Sequence, residues 1–585
     1  MCGIIGYIGK RQAAPILLEG LKKLEYRGYD SAGLITLIID FHLQKDIGKI
    51  DEIKFDLNEL RGRIGCGHTR WATHGVVTKE NAHPHLSNNR TIAVVHNGII
   101  ENYKELKEFL TSKGFIFNTQ TDTEIIPNLI EYFMKEKDFF DATKLALNKL
   151  EGSYAIVALH TGENKMIAAR KDSPLVIGVG DNEYFVASDI PAFLEHTKKV
   201  IYLEEKDVVV LDDKLKIFNL KENSFVERPV DTVEWNLEHV KKGNFEHYML
   251  KEITEQTESI SKAIDQDEKI IKDIIEIMKK SKGIYFVACG SSYHACLSAS
   301  YKFSSISKTH VNVALASEFS NYKDFILPET LVIAVSQSGE TADVLDAVRT
   351  AKEKGAKVIS IVNVMGSSLT RESDKALMMN SGPEICVLST KTYTSQLTLL
   401  TLLAYSLAGR YDEGKKKLKD LINYVYHLTS ANARMYIQKL AEKIRDSEHI
   451  YLIGRGLQYP TALEAALKIK EVSYIHAEGF AGGELKHGTI ALIKKGIPCI
   501  VFSSKETEKE IISNAMELKT RGAYIIGISP VNNEVFDFFI KVREAEEANS
   551  ICQIIPIQIL AYQLAVLRGY DPDRPRNLAK SVTVK

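Results

Sequence analysis

Cysteine is scarce in this sequence, and no two cysteines form a Cys-x-x-Cys pair. The chain has 7 cysteines among 585 residues, at positions 2, 66, 289, 296, 386, 499 and 552. Domains that depend on disulfides carry many more, so this usage indicates a reducing compartment. The N-terminus also lacks a charged and then apolar leader. We therefore expect a cytoplasmic protein.

Long apolar runs and a strong excess of one charge are lacking as well. The longest apolar stretches, Leu397–Ala408 and Ile551–Leu567, are short or interrupted by Ser, Gln and Pro. Neither predicts a membrane span. The formal net charge is -1, which gives no electrostatic reason to bind nucleic acid or an anionic membrane. We expect neither partner.

The composition that is present is typical of a globular protein, with 45% hydrophobic and 26% charged residues. The length suggests roughly three domains. In the N-terminal third, short alternating runs predict strands and longer amphipathic runs predict helices, which is an α+β pattern. The predicted strands are Ile4–Ile8, Leu34–Ile39, Thr91–Val95, Tyr154–Leu159, Lys165–Ala169 and Tyr184–Ala187, and the predicted helices are Ala13–Leu24, Tyr103–Lys113 and Glu124–Glu136.

Cys2 is the first candidate for chemistry. Removal of Met1 would make it the N-terminal residue, with a thiol and a free amine on one residue. The unperturbed pKa of such an amine is near 8 and that of a thiol near 8.5, so the amine can accept the thiol proton near neutral pH. Cys2 is therefore a candidate nucleophile with its own base. A small residue at the start of a buried strand is the alternative interpretation.

Polar loops between the predicted strands carry the residue types that hold a free amino acid. Arg70 offers a planar fork for a carboxylate, and Asp122 offers a counter-charge for an ammonium group. Asn97 and the N–H of Gly98 are typical of an oxyanion hole. Individually these residues also fit an ion pair, a helix N-cap and a turn.

The order of these motifs resembles the glutamine amidotransferase domain of the N-terminal-nucleophile class, which implies an αββα sandwich fold. The matching stretches are CGIIG at the start, LEYRGYDSAG, HTRWATHG, NAHPH, HNG and TDTE. The resemblance implies that Cys2 attacks the side-chain amide of glutamine and that Asn97 and Gly98 stabilise the oxyanion. It also implies a glutamine-binding set, which consists of Arg70, Trp71, Thr73, His74, Asp122 and Arg27.

Five histidines in the same region raise the question of a metal site: His68, His74, His83, His85 and His96. Pro84 argues against a regular central strand that would align His83 with His85. No HExxH spacing or carboxylate-rich companion motif accompanies the histidines. We therefore predict no metal site and no cofactor.

The C-terminal two thirds repeat themselves. Ile284–Tyr293 aligns with Ile450–Tyr459, and Lys354–Ile359 aligns with Arg521–Ile526. In each copy a buried strand enters a glycine-containing loop and then a helix, which predicts parallel sheets flanked by helices, with ligands at the C-terminal ends of the strands. The expected segments are 1–238, a linker at 239–258, 259–430, 431–570 and a tail at 571–585.

The first copy carries a candidate phosphate cradle. Ser336, Gln337, Ser338 and Thr341 follow a predicted strand and open a helix, so hydroxyls, an amide and a helix N-terminus converge there. A simple helix capping box is the alternative. The aligned loop of the second copy reads Ser503-Ser504-Lys505-Glu506, so we expect only the first copy to bind phosphate.

The second copy carries candidate acid-base residues. Glu464, Lys468 and Glu471 are spaced to share one helix face, and Leu463 and Leu467 lie close beside that face, so the face should border the core. Surface ion pairs on a solvated helix are the alternative. A glycine-rich loop, Ala477–Gly488, then delivers His487.

These stretches resemble the sugar isomerase domain family, here in tandem behind a glutaminase domain. The resemblance reaches the terminal stretch DPDRPRNLAKSVTV and implies conversion of D-fructose 6-phosphate and L-glutamine into D-glucosamine 6-phosphate, with ammonia passed internally. It implies that His487 opens the sugar ring from a partner subunit of a homodimer, that Lys580 forms a Schiff base and that Glu471 moves a proton between C1 and C2. Glu464 and Lys468 match the other acid-base positions. The implied sugar-phosphate set is Ser291, Ser292, Ser336, Gln337, Ser338, Thr341, Val387 and Ser389.

Three positions depart from the family pattern. Thr489 and Thr257 stand where proline is usual, and Ser291 replaces a common threonine.

A sugar-phosphate sensor and another glutamine-dependent sugar-phosphate aminotransferase are the alternative functions. An amidophosphoribosyltransferase is disfavoured, because its acidic pyrophosphate-binding pattern is lacking. Glu471, His487 and Lys580 favour the enzyme, since a sensor would not need them.

Overall fold

The structure is a computed structural model that describes residues 2–72, 74–233 and 242–583. Two units of the chain make most of their contacts internally. The first consists of Met1–Val240 with Glu340–Ala342 and Ala579–Lys585, and the second of Lys241–Gly339 with Asp343–Leu578.

The first unit contains two antiparallel sheets, an eight-stranded one in the order β15-β11-β9-β10-β1-β4-β2-β3 and a seven-stranded one in the order β14-β13-β12-β8-β7-β6-β5. Their strands are β1 (Gly3–Ile8), β2 (Ser31–Leu37), β3 (Phe41–Ile47), β4 (Ile64–Arg70), β5 (His85–Leu86), β6 (Ile92–Ile100), β7 (Gly152–His160), β8 (Glu163–Lys171), β9 (Val176–Val179), β10 (Tyr184–Ala187), β11 (Lys199–Tyr202), β12 (Asp207–Leu211), β13 (Leu215–Asn219), β14 (Ser224–Val226) and β15 (Asp231–Thr232). The helices of this unit are Ala13–Leu24, Tyr103–Ser112, Ile125–Met134 and Phe139–Leu147, with 3-10 turns at Glu25–Arg27, Asp122–Glu124 and Ile190–Ala192.

Both faces of the central strands are buried, because the two sheets pack against each other and helices cover the outer face of each sheet. On β1, Ile4 and Ile8 join a core shared with residues of the second sheet, whereas Ile5 and Tyr7 pack with the helix Ala13–Leu24. The second sheet packs its other face against the remaining helices of the unit. A strand with two buried faces is apolar at nearly every position, because successive side chains point to opposite faces. The predicted αββα sandwich is confirmed.

The second unit contains two five-stranded parallel sheets, in the orders β17-β16-β18-β19-β20 and β22-β21-β23-β24-β25. In both, the first strand along the chain lies between the second and the third, so the predicted duplication is confirmed. The strands are β16 (Gly283–Ala288), β17 (Asn312–Leu315), β18 (Thr330–Ser336), β19 (Lys357–Val362), β20 (Lys375–Met378), β21 (His449–Gly454), β22 (His476–Ala481), β23 (Pro498–Phe502), β24 (Tyr524–Ser529) and β25 (Phe538–Lys541).

Helices flank these sheets, as the repeated pattern predicts. They are Tyr248–Thr254, Gln256–Ile264, Glu268–Lys280, Gly290–Lys302, Ala342–Glu353, Ser368–Glu372, Lys391–Leu407, Tyr411–Lys419, Ile422–Leu428, Ala431–Ile444, Gln458–Ser473, Glu508–Thr520 and Asn549–Leu567. Short 3-10 segments occur at Ala316–Phe325, Gly482–His487, Thr489–Leu492 and Glu546–Ala548, and a π turn at Phe303–Ser307.

Two strand predictions end in the wrong place. The predicted strand Thr91–Val95 is too short, because β6 continues to Ile100 and includes Asn97 and Gly98, which the sequence pattern predicts in a loop. The apolar run Leu34–Ile39 predicts a strand to Ile39, but β2 ends at Leu37. Ile38 and Ile39 form the turn to β3 and are exposed, since the backbone reverses there and Ile38 N–H donates to Asp40 O at 3.4 Å. An apolar side chain at a hairpin tip gives no sequence signal for the end of a strand.

The helical segment Glu546–Leu567 is long and apolar enough to cross a membrane by length and composition alone. Its 18-residue apolar window is 83% buried inside the fold, and Pro556 lies within the helix Asn549–Leu567. Core helices of globular proteins share these properties, so the segment is weak support for a membrane span.

A buried lysine lies among three helices of the second unit. Lys302 is fully buried and donates to Thr401 Oγ1 at 2.9 Å and to Ser550 Oγ at 3.1 Å. Burial lowers the pKa of its ammonium group to about 7. No carboxylate forms an ion pair with it among the described residues, so its positive charge destabilises the folded state.

We predict that Lys302→Met raises the melting temperature, most strongly below about pH 7, where Lys302 is charged in both the folded and the unfolded protein. Between about pH 7 and the unfolded pKa of 10.5, only the unfolded protein keeps the proton. The parent therefore gains up to about 1.4 kcal/mol of stability per pH unit, and the advantage of the variant shrinks. Thermal unfolding at about pH 6.5 and 9 measures this. An advantage that grows with pH would contradict the assignment.

Candidate active sites

Cys2 lies directly before β1, which pairs with β4 so that Gly3 is opposite Thr69. This register brings Cys2 next to the end of β4 and to Trp71. The Cys2 Sγ accepts a hydrogen bond from the Trp71 N–H at 3.2 Å. Burial raises the pKa of the Cys2 thiol overall, although the Trp71 N–H and the positive charge of Arg70 act to lower it. Two groups that favour a thiolate therefore surround the predicted nucleophile.

The predicted oxyanion residues lie beside Cys2. Asn97 Nδ2 donates to the carbonyl oxygen of Cys2 at 2.8 Å. Gly98 has a φ of +131°, and a Cβ atom there would lie 2.0 Å from Ser153 O. Only glycine fits this backbone. The strand β6 therefore places a side-chain amide and a glycine in the same cavity as Cys2, and these are residue types that can form an oxyanion hole.

His68 lies behind Asn97 and fixes the orientation of its amide. The Nε2 of His68 lies 3.0 Å from Asn97 Oδ1 and 3.1 Å from His96 O. Burial lowers the pKa of His68 to about 3, so the ring is neutral and carries one N–H. Because both neighbours are acceptors, that N–H must be on Nε2. Asn97 Oδ1 is thereby held away from Cys2, and its Nδ2 faces the nucleophile.

The other buried histidines bond to hydroxyl and backbone groups. His83 stacks on His68 with ring centroids 4.0 Å apart and accepts from the His96 N–H at 3.3 Å. His85 Nε2 lies 3.1 Å from Thr121 Oγ1, and His96 Nδ1 lies 2.9 Å from Thr123 Oγ1. Burial lowers the pKa of His83, His85 and His96. Among the described residues, no group of three or more His, Cys, Asp or Glu side chains could hold a metal ion, and the expectation of a metal-free enzyme stays a prediction.

The two predicted clamp residues, Arg70 and Asp122, both have backbone partners. Arg70 donates to the carbonyl oxygens of His74, Gly75 and Val76, which form the next loop. Burial lowers its pKa. Asp122 Oδ2 accepts from the Ile100 N–H at 2.8 Å. An amino acid bound between them would share or replace these partners.

One cavity of the first unit collects most of the predicted glutamine site. It is lined by Cys2, Arg70, Trp71, His74, His83, His96, Asn97, Gly98, Thr121, Asp122, Thr123 and Thr583. Thr583 has no sequence signal, since it lies in a polar tail. Arg27 does not line this cavity; it donates to Asp189 Oδ2 at 2.7 Å. Thr73 lies outside the described residues.

The predicted sugar-phosphate loops lie at one edge of the first parallel sheet. The strands β16 and β18 are hydrogen-bonded neighbours. Ser291 and Ser292 begin the helix after β16, and Ser336 ends β18. Ser336 Oγ accepts from the Gly339 N–H at 3.1 Å. Gln337, Ser338 and Thr341 occupy the turn that leads into the helix Ala342–Glu353.

Val387 and Ser389 lie in a loop that a buried carboxylate holds. Val387 is buried, and Ser389 Oγ lies 2.7 Å from Thr392 Oγ1. Glu384 accepts from the N–H groups of Thr390 and Thr392 at 2.9 and 3.1 Å and from Thr392 Oγ1 at 2.7 Å. Glu384 has no sequence signal as a loop anchor, because two of these three hydrogen bonds come from backbone N–H groups.

The predicted acid-base face is buried, unlike a solvated helix face. Lys468 Nζ lies 2.8 Å from Glu471 Oε2 and 3.4 Å from Glu464 Oε1. Burial of Lys468 lowers the pKa of its ammonium group, but the two carboxylates outweigh burial and raise it overall. Lys468 also donates to Ser291 Oγ at 3.0 Å. The structure therefore joins the predicted acid-base residues of the second copy to a predicted phosphate-site residue of the first.

The other two residues with implied sugar chemistry lie in different settings. His487 ends a 3-10 turn and is exposed, and no described residue hydrogen-bonds to its ring. Lys580 is half-buried in the segment Ala579–Lys585 of the first unit.

We predict that His68→Leu lowers kcat for glutamine hydrolysis about 10- to 100-fold, because Asn97 would lose the contact that orients its oxyanion donor. His68→Gln should recover most of the rate, since a glutamine amide nitrogen can replace the Nε2–H. The matched control is His42→Leu, on β3. A steady-state glutaminase assay decides, and equal losses in His68→Leu and His42→Leu would contradict the role of His68.

Family models match three segments of the chain. The glutamine amidotransferase domain matches residues 68–195, and the SIS domain matches residues 277–406 and again 443–568. The C-terminal domain of glucosamine-fructose-6-phosphate aminotransferase from Francisella tularensis is a similar solved structure. It is 35% identical with a TM-score of 0.53, and the match covers 57% of this chain and 100% of that one.

Curated relatives match over the full length. Glutamine–fructose-6-phosphate aminotransferase [isomerizing] of Thermococcus kodakarensis is 47% identical over 602 residues, and that of Clostridium perfringens is 44% identical over 615 residues. Both matches cover 100% of each chain. On this identity and coverage, the chain belongs to the glutamine–fructose-6-phosphate aminotransferase (isomerizing) family.

Proposed function

We propose that this protein transfers the amide nitrogen of L-glutamine to D-fructose 6-phosphate and isomerises the sugar, forming L-glutamate and D-glucosamine 6-phosphate. The observation that carries the proposal is the presence in one chain of two separate sets of reactive side chains. Cys2 with the amide of Asn97 serves amide hydrolysis, and the buried Glu464–Lys468–Glu471 network serves proton transfer. The full-length relatives support it, since their names give this reaction.

In the first half-reaction, the Cys2 thiolate attacks the side-chain amide carbon of glutamine. After removal of Met1, the α-amine of Cys2 takes the thiol proton and passes it to the leaving ammonia. The Nδ2 of Asn97 and the N–H of Gly98 stabilise the oxyanion, and water then cleaves the thioester to give glutamate. Arg70 binds the α-carboxylate and Asp122 the α-ammonium, while Trp71 and His74 line the same cavity. The roles of Thr73 and Arg27 rest on the family resemblance alone.

In the second half-reaction, ammonia reaches the sugar without leaving the enzyme. His487 opens the ring, and the Lys580 amine adds to the C2 ketone with loss of water. Ammonia then displaces Lys580, and Glu471 moves a proton from C1 to C2 to give the amino aldose. The water that cleaves the thioester balances the water lost at the ketone, so the net reaction consumes only glutamine and fructose 6-phosphate.

The sugar phosphate is held by the hydroxyl-rich loops of the first SIS domain. Ser336, Gln337, Ser338 and Thr341 supply hydroxyl, amide and backbone donors before a helix N-terminus. Ser291 and Ser292 contribute from the neighbouring helix, and Val387 and Ser389 from the loop that Glu384 holds.

We propose further that the enzyme is a homodimer in which His487 of one subunit completes the site of the other. The exposure of His487 supports this. The free cysteines support a cytoplasmic location. We retain the segments 1–238, 239–258, 259–430, 431–570 and 571–585 as proposed domain limits. A sugar-phosphate sensor is disfavoured, because phosphate binding does not require a buried lysine between two glutamates.

We predict that Cys2→Ala abolishes glutamine-dependent synthesis of glucosamine 6-phosphate, while isomerisation of the sugar phosphate persists, because the two reactions use different domains. Retained glutamine-dependent turnover in Cys2→Ala would show that the nucleophile is another residue. Mass spectrometry of the active parent should find Met1 removed. An intact Met1 would contradict the self-base mechanism, since the α-amine of Cys2 would then be in a peptide bond.

We also predict that Lys580→Ala nearly eliminates glucosamine 6-phosphate formation but leaves glutamine hydrolysis largely intact. Borohydride reduction with fructose 6-phosphate should trap an adduct on Lys580 in the parent, located by peptide mass spectrometry. Lys494→Ala, at an exposed lysine, is the control. An adduct on another lysine, or full synthesis by an enzyme truncated before Lys580, would overturn the Schiff-base role.

A further inference from the structure

A histidine of the first SIS domain contacts the acid-base network of the second. His294 lies on the helix Gly290–Lys302, and its Nδ1 is 2.8 Å from Glu464 Oε2. Glu464 lies on the helix Gln458–Ser473, and its side chain is completely buried. The two helices are equivalent in the duplicated fold, since each follows the first strand of its sheet.

Each oxygen of Glu464 faces one basic group. Oε1 forms the 3.4 Å ion pair with Lys468, and Oε2 accepts from His294. A buried carboxylate needs a partner on each oxygen, and removing one leaves an uncompensated charge. Lys468 cannot satisfy Glu464 alone, because its ammonium group lies closer to Glu471, at 2.8 Å. His294 is therefore the partner that completes the environment of Glu464.

The exposed fractions of the Glu464, Lys468 and Glu471 side chains indicate which of them a substrate could contact. The side chains of Glu464 and Lys468 are 0% and 1% exposed, whereas that of Glu471 is 19% exposed. Only Glu471 of the three has an open side that a substrate could approach. Glu464 therefore acts through Lys468, which fixes the carboxylate of Glu471. The chain of contacts runs from His294 to Glu464, Lys468 and Glu471, and Lys468 also holds Ser291.

We propose that His294 is a positioning residue for sugar isomerisation, which holds Glu464 through its Nδ1–H so that Lys468 aligns Glu471 and Ser291. The proposal rests on the proposed function and adds a residue to its machinery. The proposal requires a hydrogen-bond donor at the δ position of residue 294, but it does not require a positive charge at that position. Asparagine supplies such a donor, because its Nδ2 occupies the same δ position, whereas leucine does not.

The test measures formation of glucosamine 6-phosphate from glutamine and fructose 6-phosphate by the full-length enzyme. We expect His294→Leu to lower kcat about 10- to 100-fold, with the KM for fructose 6-phosphate changed less than about threefold. We expect His294→Asn to recover at least about one third of the parent kcat. Glutamine hydrolysis should stay at the parent level in both variants, because Cys2 lies in the other unit. His310→Leu, at an exposed histidine of the same domain, is the control.

Three outcomes decide the proposal. Full kcat in His294→Leu, or equal loss in His294→Leu and His294→Asn, overturns it. If His294→Leu does not fold, His294→Asp replaces it as the variant without a donor, since aspartate matches asparagine in size but donates no hydrogen bond when ionised. Equal activity of His294→Asp and His294→Asn also overturns the proposal. A parent enzyme that forms no glucosamine 6-phosphate would contradict the proposed function itself, which distinguishes the two failures.

Discussion

The buried ammonium group of Lys468 is the interaction on which the second unit depends most. Burying one charge costs several kcal/mol, and leaving its partner unpaired costs about 3–5 kcal/mol. The network avoids this cost because Glu464, Glu471 and Ser291 surround the ammonium group within 3.4 Å. Since Ser291 belongs to the first SIS copy and the glutamates to the second, one lysine fixes the geometry of both. This contact links the predicted phosphate-binding residues of one copy to the predicted proton-transfer residues of the other.

The first unit depends on a different constraint, the register of three buried strands. Pairing of β1 with β4 places Cys2 beside Trp71, and the last residues of β6 carry Asn97 and Gly98 to the same place. Strands buried on both faces cannot slip by one residue, because a slip would exchange the side chains of the two cores. The proposed nucleophile and the proposed oxyanion donors are thus positioned by the core of the sandwich. His68 adds the finer control, since its N–H determines which end of the Asn97 amide faces Cys2.

Local sequence patterns predicted a large part of this structure. The helix Ala13–Leu24 and the strand Tyr184–Ala187 have the predicted limits, because amphipathic periodicity is a local property. The shared face of Glu464, Lys468 and Glu471 follows from helical spacing alone. The sequence could not distinguish a buried network from surface ion pairs there, since burial depends on the other SIS copy.

Contacts between residues far apart in the chain were not predictable in this way. His294 and Glu464 are 170 positions apart, and neither has a neighbour that signals the other. His68 was considered only as a metal ligand, because a cluster of histidines gives no sequence signal for ring tautomers or amide partners. The resemblance implies that Arg27 lies near the glutamine pocket. In the structure Arg27 donates to Asp189 and does not line the cavity. Only the folded geometry could make these distinctions.

Isotope labelling can show directly whether nitrogen passes from the glutamine site to the sugar site within the enzyme. The enzyme would receive fructose 6-phosphate and glutamine labelled with heavy nitrogen at the side-chain amide, in a buffer with excess unlabelled ammonium. We expect glucosamine 6-phosphate that carries the heavy label in nearly every molecule, because ammonia released at Cys2 reaches the sugar without mixing with solvent. Unlabelled product, or no product, would contradict this expectation.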